Sequence, residues 1–231
     1  MRRGAVDTVT FLTIGQAPRP DLSEAIEAHL PGTARVRHAG VLDGLTRPET
    51  ELRFGATEGR ATLLSRLADG SPVTLDADTV GAALQARIDQ VEEAGADVVV
   101  LLCTGEFPGL RTRRARLVEP DALVTGYVGT VLRGSRVGFV VPLPEQVPEA
   151  REKWRAVVPA PAFTTASPYA DNDAALLAAA CTHLEAGADV LMLDCMGYGA
   201  RHRRSLRAAG LTVPILTPGA VVGAALGPLL V

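Results

Sequence analysis

Apolar positions along the chain switch between two spacings, and each switch marks a new element. Thr8–Ile14 is a β-rich apolar run that predicts a strand. Gly15-Gln16-Ala17-Pro18-Arg19-Pro20 turns the chain, and Asp21 can cap a helix from Leu22 to about Leu30. Ala34–Ala39 predicts a second strand. Residues 40–60 are polar and irregular, too long a stretch for plain filler. Leu63–Leu67 reads as a short helix, after which Gly70-Ser71-Pro72 turns into Val73–Leu75. Asp76 or Asp78 caps a strong helix to Ala94, with Val80, Leu84, Ile88 and Val91 on one face. Asp97–Cys103 is a strand, Glu106–Arg116 a loop or a helix, and Leu117-Val118 a short strand. Glu119-Pro120-Asp121 opens a helix to about Leu132. The pattern then restarts. Arg136–Val141 is a strand, a helix runs through Trp154 to Val157, and Ala162–Thr165 is a strand. Pro168–Asn172 is a loop, Asp171–Gly187 a helix and Asp189–Cys195 a strand. Ala200–Ala209 is a basic helix, Val213–Leu216 a strand, and Thr217-Pro218-Gly219 opens a final helix to the chain end.

Two of these stretches echo each other. Residues 93–98 and 185–190 are both Glu-Ala-Gly-Ala-Asp-Val, and a cysteine follows the shared glycine by eight residues in each: Cys103 and Cys195. Each copy reads as a helix end, a glycine stop, a short apolar strand and a thiol at its carboxyl end. The echo extends to Val118–Gly126 and Leu216–Gly223, which share Pro, Ala and Val positions. The order strand–helix–strand–helix–Cys strand–helix–strand–helix therefore occurs twice. Alternating β and α predicts parallel sheets flanked by helices, with ligand sites at the strands' carboxyl ends. The expected fold is α/β with two pseudo-symmetric lobes. Residues 1–119 form the first, with an insertion at about 40–77 and the helix of 218–231 packing back on it. Residues 120–217 form the second. A cleft between them would bring the two cysteines face to face.

Composition narrows the function classes. The net charge of -3 and 4% aromatic content give no basic stripe and no stacking platform for nucleic acid. Apolar runs are strand-length or broken by Gly and Pro, so no membrane partner is expected. Met1-Arg2-Arg3-Gly4 has no signal-length apolar region behind it, and the expected compartment is the cytoplasm. Three cysteines, no C-x-x-C and four scattered histidines argue for reduced thiols and no metal. One glycine in the first loop argues against a dinucleotide or ATP site.

The paired thiols suggest the chemistry. Removing a proton beside a carboxylate needs a nearby base, and donors for the charge that develops. A thiolate serves if its pKa is lowered, which a helix N-terminus or turn N–H groups can do. Thr13 and Thr104 add hydroxyls near the strand ends, whereas Met196 adds none. Cys181 has no counterpart and reads as helix packing.

At this point the chain resembles a known superfamily. The duplicated layout, with a cysteine after the third strand of each half, is similar to the aspartate/glutamate (and hydantoin) racemases. TFLTIG at 10–15, LVEP at 117–120, VGFVVP at 137–142, DVLMLDCMG at 189–197 and RHR at 201–203 resemble the AroM family within it, over nearly the whole chain. The resemblance implies a cofactor-independent two-base mechanism with Cys103 and Cys195 as bases. Around the substrate it implies Thr13, Gly15, Gln16, Thr104, Gly105, Pro142, Met196 and Gly197. Arg19 and Tyr198 join these as candidates from their position in the chain. Racemases of this superfamily often carry Cys-Asn-Thr and Cys-Thr-His, so Cys103-Thr104-Gly105 and Cys195-Met196-Gly197 argue against ordinary glutamate or aspartate racemization. The resulting expectation is a racemase or epimerase acting on a small carboxylate or related molecule, with a homodimer compatible with the fold. A cis–trans isomerase or decarboxylase with a nucleophilic cysteine, and a non-catalytic small-molecule binder, are the alternatives. One of Arg201, His202, Arg203 and Arg204 could clamp a second carboxylate or set the charge of Cys195, or the run is a solvated basic face or an oligomer contact. Glu119 could bind a substrate amine or serve as a local cap.

Overall fold

The computed structural model describes residues 7–230, so the expectations for Met1–Gly4 and for Val231 lie outside the described residues, and the final helix, expected to reach the chain end, stops at Leu226. In chain order the elements are β1 (Thr8–Thr13), α1 (Pro20–Glu27), β2 (Arg35–Gly40), α2 (Arg47–Phe54), β3 (Thr62–Arg66), β4 (Pro72–Asp76), α3 (Ala77–Glu93), β5 (Val98–Leu101), β6 (Arg116–Val118) and α4 (Pro120–Val131). The second half adds β7 (Val137–Val141), α5 (Val147–Arg155), β8 (Ala162–Thr165), α6 (Ala174–Glu185), β9 (Val190–Leu193), α7 (Ala200–Ala208), β10 (Ile215–Leu216) and α8 (Pro218–Leu226). Two four-stranded sheets are wholly parallel, ordered β2-β1-β5-β6 and β8-β7-β9-β10. The orders match when β7, β8, β9 and β10 replace β1, β2, β5 and β6.

Each central strand feeds two cores because successive side chains point to opposite faces. Leu12, Val99 and Leu101 pack under Val80, Leu84, Ile88 and Val91 of α3. Val9, Phe11, Val98 and Val100 pack on the other side against Leu22 and Ile26 of α1 and Val222 and Leu226 of α8. In the second sheet, Val140, Leu191 and Leu193 face α6 and α7, while Phe139 and Met192 face Val124 and Val128 of α4 and Trp154 of α5. The helix that closes each half thus packs on the sheet of the other.

The repeated hexapeptide explains itself in the backbone. Gly95 and Gly187 have φ of 89° and 83°, the left-handed region that favours glycine. At both sites the glycine N–H and the next alanine N–H return to the last turn: Gly95 to Glu92 and Ala96 to Val91, Gly187 to Leu184 and Ala188 to His183. The Asp that follows then ties the sheet together. Asp97 accepts from the N–H of Thr8 at 2.9 Å, and Asp189 from that of Arg136 at 2.9 Å.

Three expectations are corrected. Residues 63–67 do not form a helix: β3 and β4 are an antiparallel hairpin, because the Asp69-Gly70 turn (Gly70 φ 84°) outweighs the helical spacing of Leu63 and Leu67. Residues 40–60 are not all irregular. Thr46 and Glu49 form a reciprocal capping box that starts α2. No helix follows Cys103. The 102–115 loop is instead held by the buried Glu92 carboxylate, which accepts from the N–H groups of Arg113, Arg114 and Ala115. Among the described residues no helix is long and apolar enough to cross a membrane.

Candidate active site

Cys103 and Cys195 stand two residues past β5 and β9, at the carboxyl ends of matching central strands. Their immediate settings are alike. The Cys103 sulfur accepts from the Gly105 N–H at 3.3 Å, and the Cys195 sulfur from the Gly197 N–H at 3.3 Å. The sulfurs lie near enough for the charge of Cys103 to raise the pKa of Cys195. The thiols are not depressed as the sequence suggested. Burial pushes Cys103 up to about 11, opposed by the Gly105 N–H and by Lys153. Burial also pushes Cys195 up to about 12, with the charges of Cys103 and Asp194 adding to it and the Gly197 N–H and Arg19 opposing. Desolvation outweighs the turn donors at both sites.

Beyond the sulfurs the two surroundings diverge. Near Cys103, Lys153 of α5 donates to the Thr104 carbonyl at 3.2 Å and lies 2.7 Å from Asp121 Oδ1 and 3.7 Å from Asp194 Oδ1. The Trp154 indole N–H holds Asp194 Oδ2 at 2.5 Å. Burial works against the Lys153 charge, but Asp194 and Asp121 hold its pKa above the usual range. Thr104, Gly105, Gln146, Glu149, Lys153 and Asp194 line a cavity of about 360 Å³ there. Near Cys195, Arg19 is 5% exposed and grips Asp21 through Nε at 2.9 Å and Nη2 at 2.7 Å. Nη2 also donates to the Tyr169 hydroxyl at 3.0 Å, which joins the first half of the chain to the loop after β8. Tyr169 lies under the Arg66 guanidinium, 4.8 Å from ring centre to Cζ, and abuts Gly197, where an added Cβ would come within 2.9 Å of the hydroxyl. A second cavity, of about 580 Å³, opens onto Tyr169, Met196 and Gly197.

The other sequence candidates divide. Thr13, Pro142 and Met196 are buried, and the Thr13 hydroxyl accepts from the Gly15 N–H at 3.1 Å. Gly15 is needed for close approach: a Cβ would lie 2.4 Å from the Ser65 hydroxyl and 2.5 Å from the Arg66 carbonyl of the hairpin. Two candidates are engaged in bonds within the protein. Gln16 donates to the carbonyls of Leu42 and Leu45 and accepts from the Ala68 N–H, so its amide braces the scaffold. Tyr198 is 1% exposed and its hydroxyl bonds the Ala166 carbonyl, while its ring packs edge-on against His202. His202 is buried and its Nδ1 accepts from the Gly199 N–H, a local cap of α7. Arg201 is exposed and pairs with Asp173 at 3.1 Å. Glu119 stands at the start of α4 without a capping bond, and burial, then Asp121, raise its pKa.

Sequence reading passed over Lys153, Asp121, Asp194 and Tyr169. Asp194 had a signal, since it immediately precedes Cys195, and Tyr169 lies in a loop at a strand's carboxyl end. Lys153 had a weak one, being the only lysine in the sequence, but it stands among several charges on a polar helix. Among the described residues no cluster of three or more His, Cys, Asp or Glu is placed to hold a metal ion.

The fold recurs in solved structures. Allantoin racemase from Klebsiella pneumoniae superposes with a TM-score of 0.64 at 15% identity, covering 96% of this chain and 87% of that one. The Gly74Cys-Cys188Ser mutant of arylmalonate decarboxylase gives 0.60 at 14%, covering 97% and 92%. Glutamate racemase from Campylobacter jejuni gives 0.60 at 14%, covering 96% and 85%. At these identities the likeness establishes the architecture. No curated protein matches the sequence. The model of the AroM protein family matches residues 9–230, and the chain therefore belongs to the AroM family.

Proposed function

We propose that this protein moves a proton at a carbon next to a carboxyl or carbonyl group of a small molecule, as a cofactor-independent racemase or epimerase with Cys103 and Cys195 as its two acid/base groups. The observation that carries the reading is the matched pair of thiols, at equivalent strand ends, each bonded by the N–H of a glycine two residues on, with the charge of Cys103 felt at Cys195. Fold neighbours that include racemases and a decarboxylase support chemistry of this class.

The chemistry needs one thiolate and one thiol. Burial raises both thiols, and each has a cation that opposes the rise, Lys153 at Cys103 and Arg19 at Cys195. In one direction the Cys103 thiolate removes the proton, the electron pair moves toward the carboxyl or carbonyl oxygen, and the Cys195 thiol returns a proton from the opposite face. The protein then holds a Cys195 thiolate and a Cys103 thiol, ready for the reverse passage. Ionising a thiol of pKa about 11 costs about 5 kcal/mol at neutral pH. The thiolate is then a minor species, and the rate should rise about tenfold per pH unit from about pH 7 to 9.

The test is exchange in D₂O. Pooled amino acids, hydroxy acids, dicarboxylic acids and hydantoins are incubated with the protein, with Cys103→Ser and with Cys195→Ser, and read by mass spectrometry. A one-dalton gain in one compound, lost or confined to one enantiomer in the variants, is expected. Exchange that survives both substitutions would exclude the two-thiol mechanism.

A further inference from the structure

Resting on that reading of the cleft, we infer that the substrate is a carboxylic acid bound as its anion, with its carboxylate seated between Arg19 Nη1 and the Tyr169 hydroxyl beside Cys195. A guanidinium offers five N–H groups in a planar fork. Asp21 takes the edge formed by Nε and Nη2, and Tyr169 takes a further N–H of Nη2. Nη1 is buried and has no hydrogen-bond partner among the described residues. Buried charged donors are rarely left unmatched, because their desolvation then goes uncompensated. The Tyr169 hydroxyl accepts from Arg19, and its own proton has no acceptor among the described residues. Two donors, one on each residue of a bonded pair, are therefore left for one acceptor group, and the Tyr169 hydroxyl is the one that reaches Gly197.

The charge balance agrees. Two guanidiniums, Arg19 and Arg66, flank the Tyr169 ring, 5.4 and 4.8 Å from its centre, while Asp21 supplies one carboxylate. The adjoining cavity carries Arg66, Arg203 and Arg204 against Asp21 and Glu24, with Arg201 paired to Asp173. A planar carboxylate can accept from Nη1 with one oxygen and from the phenol with the other. A neutral ring such as a hydantoin would leave the surplus positive charge uncompensated. At the other thiol the local balance is reversed, with Asp121 and Asp194 around Lys153, which places the anionic end of the substrate at Cys195.

The test is calorimetric titration of the full-length chain carrying both Cys103→Ser and Cys195→Ser, so that no turnover intervenes, with malonate as the anionic probe and hydantoin as the neutral one. Malonate is expected to bind more tightly than hydantoin. Adding Arg19→Lys, which keeps the charge but loses the fork, should weaken malonate at least tenfold, and adding Tyr169→Phe about threefold, with hydantoin affinity unchanged in both. A folded Arg19→Lys protein that binds malonate undiminished would overturn the site. If Arg19→Lys does not fold, Tyr169→Phe decides: undiminished malonate binding overturns the shared seat. Should the parent chain exchange deuterium into hydantoins alone, the proton-transfer reading would stand and the anion site would fall.

Discussion

Two residues set local behaviour more than their neighbours do. Lys153 is the cation acting on Cys103, while Asp121 and Asp194 act on the same thiol with the opposite sign. Lys153→Met leaves two carboxylates unopposed. The Cys103 pKa should climb above about 11, and proton exchange at fixed pH should fall at least tenfold. Thiolate absorbance against pH, in a chain also carrying Cys181→Ser and Cys195→Ser, reads the first effect directly. An unmoved titration would remove Lys153 from the mechanism. Glu92 is a matching case away from the chemistry. Burial disfavours its charge, but the N–H groups of Ala115, Arg113 and Arg114 hold its carboxyl below the ordinary 4.5. A folded pKa below the unfolded one contributes stability above about pH 4.5 that is lost as pH falls through the folded value. Glu92→Gln should therefore cost about 2 kcal/mol near neutral pH and progressively less in acid, measured by urea denaturation at several pH values.

At the scale of elements, the duplicated helix stop gives a paired prediction. Gly95 and Gly187 hold the same left-handed conformation and the same two return bonds. Gly95→Ala and Gly187→Ala should each destabilise by about 1–2 kcal/mol, read as shifts in chemical denaturation midpoint. At Gly187 a Cβ also meets the Arg136 guanidinium at 2.8 Å, the end of a flexible side chain, so the second cost should be only slightly larger. These motifs were legible because they rest on local rules: a glycine beyond a helix, an apolar run of strand length, an aspartate after the turn. Hence the parallel sheets, the repeat and the positions of both cysteines follow from the sequence. The hairpin of β3 and β4 was misread although Asp69-Gly70 announces it, because two leucines four apart imitate a helix face. Contacts between distant segments left no local mark. Nothing around Lys153 announces Asp121, 32 positions earlier in the chain, and nothing around Tyr169 announces Arg19. The thiol pKa values were misjudged for a related reason. Turn donors can be read from a motif, but desolvation depends on what the rest of the chain packs above it.

Across the whole molecule, α4 and α8 lock the halves together, since each packs on the sheet of the opposite half. A chain ended at Thr217 would lose Val222, Leu226 and Leu230 from the first core. At about 1.5–3 kcal/mol for each buried aliphatic side chain, the loss rivals the full stability of a domain. Such a chain should show no cooperative unfolding transition by circular dichroism. A cooperative transition would mean that the first sheet is stable without its borrowed helix. The unequal partners of the two thiols carry a different kind of consequence. Mirror-image forms in water have equal free energy, so if the proposed racemization holds, unequal surroundings with Lys153 at one thiol and Arg19 at the other must still deliver both forms in equal amounts. The asymmetry can appear only in time: the two directions will differ in which proton transfer is slow, and a deuterium on the reacting carbon will retard one enantiomer more than the other.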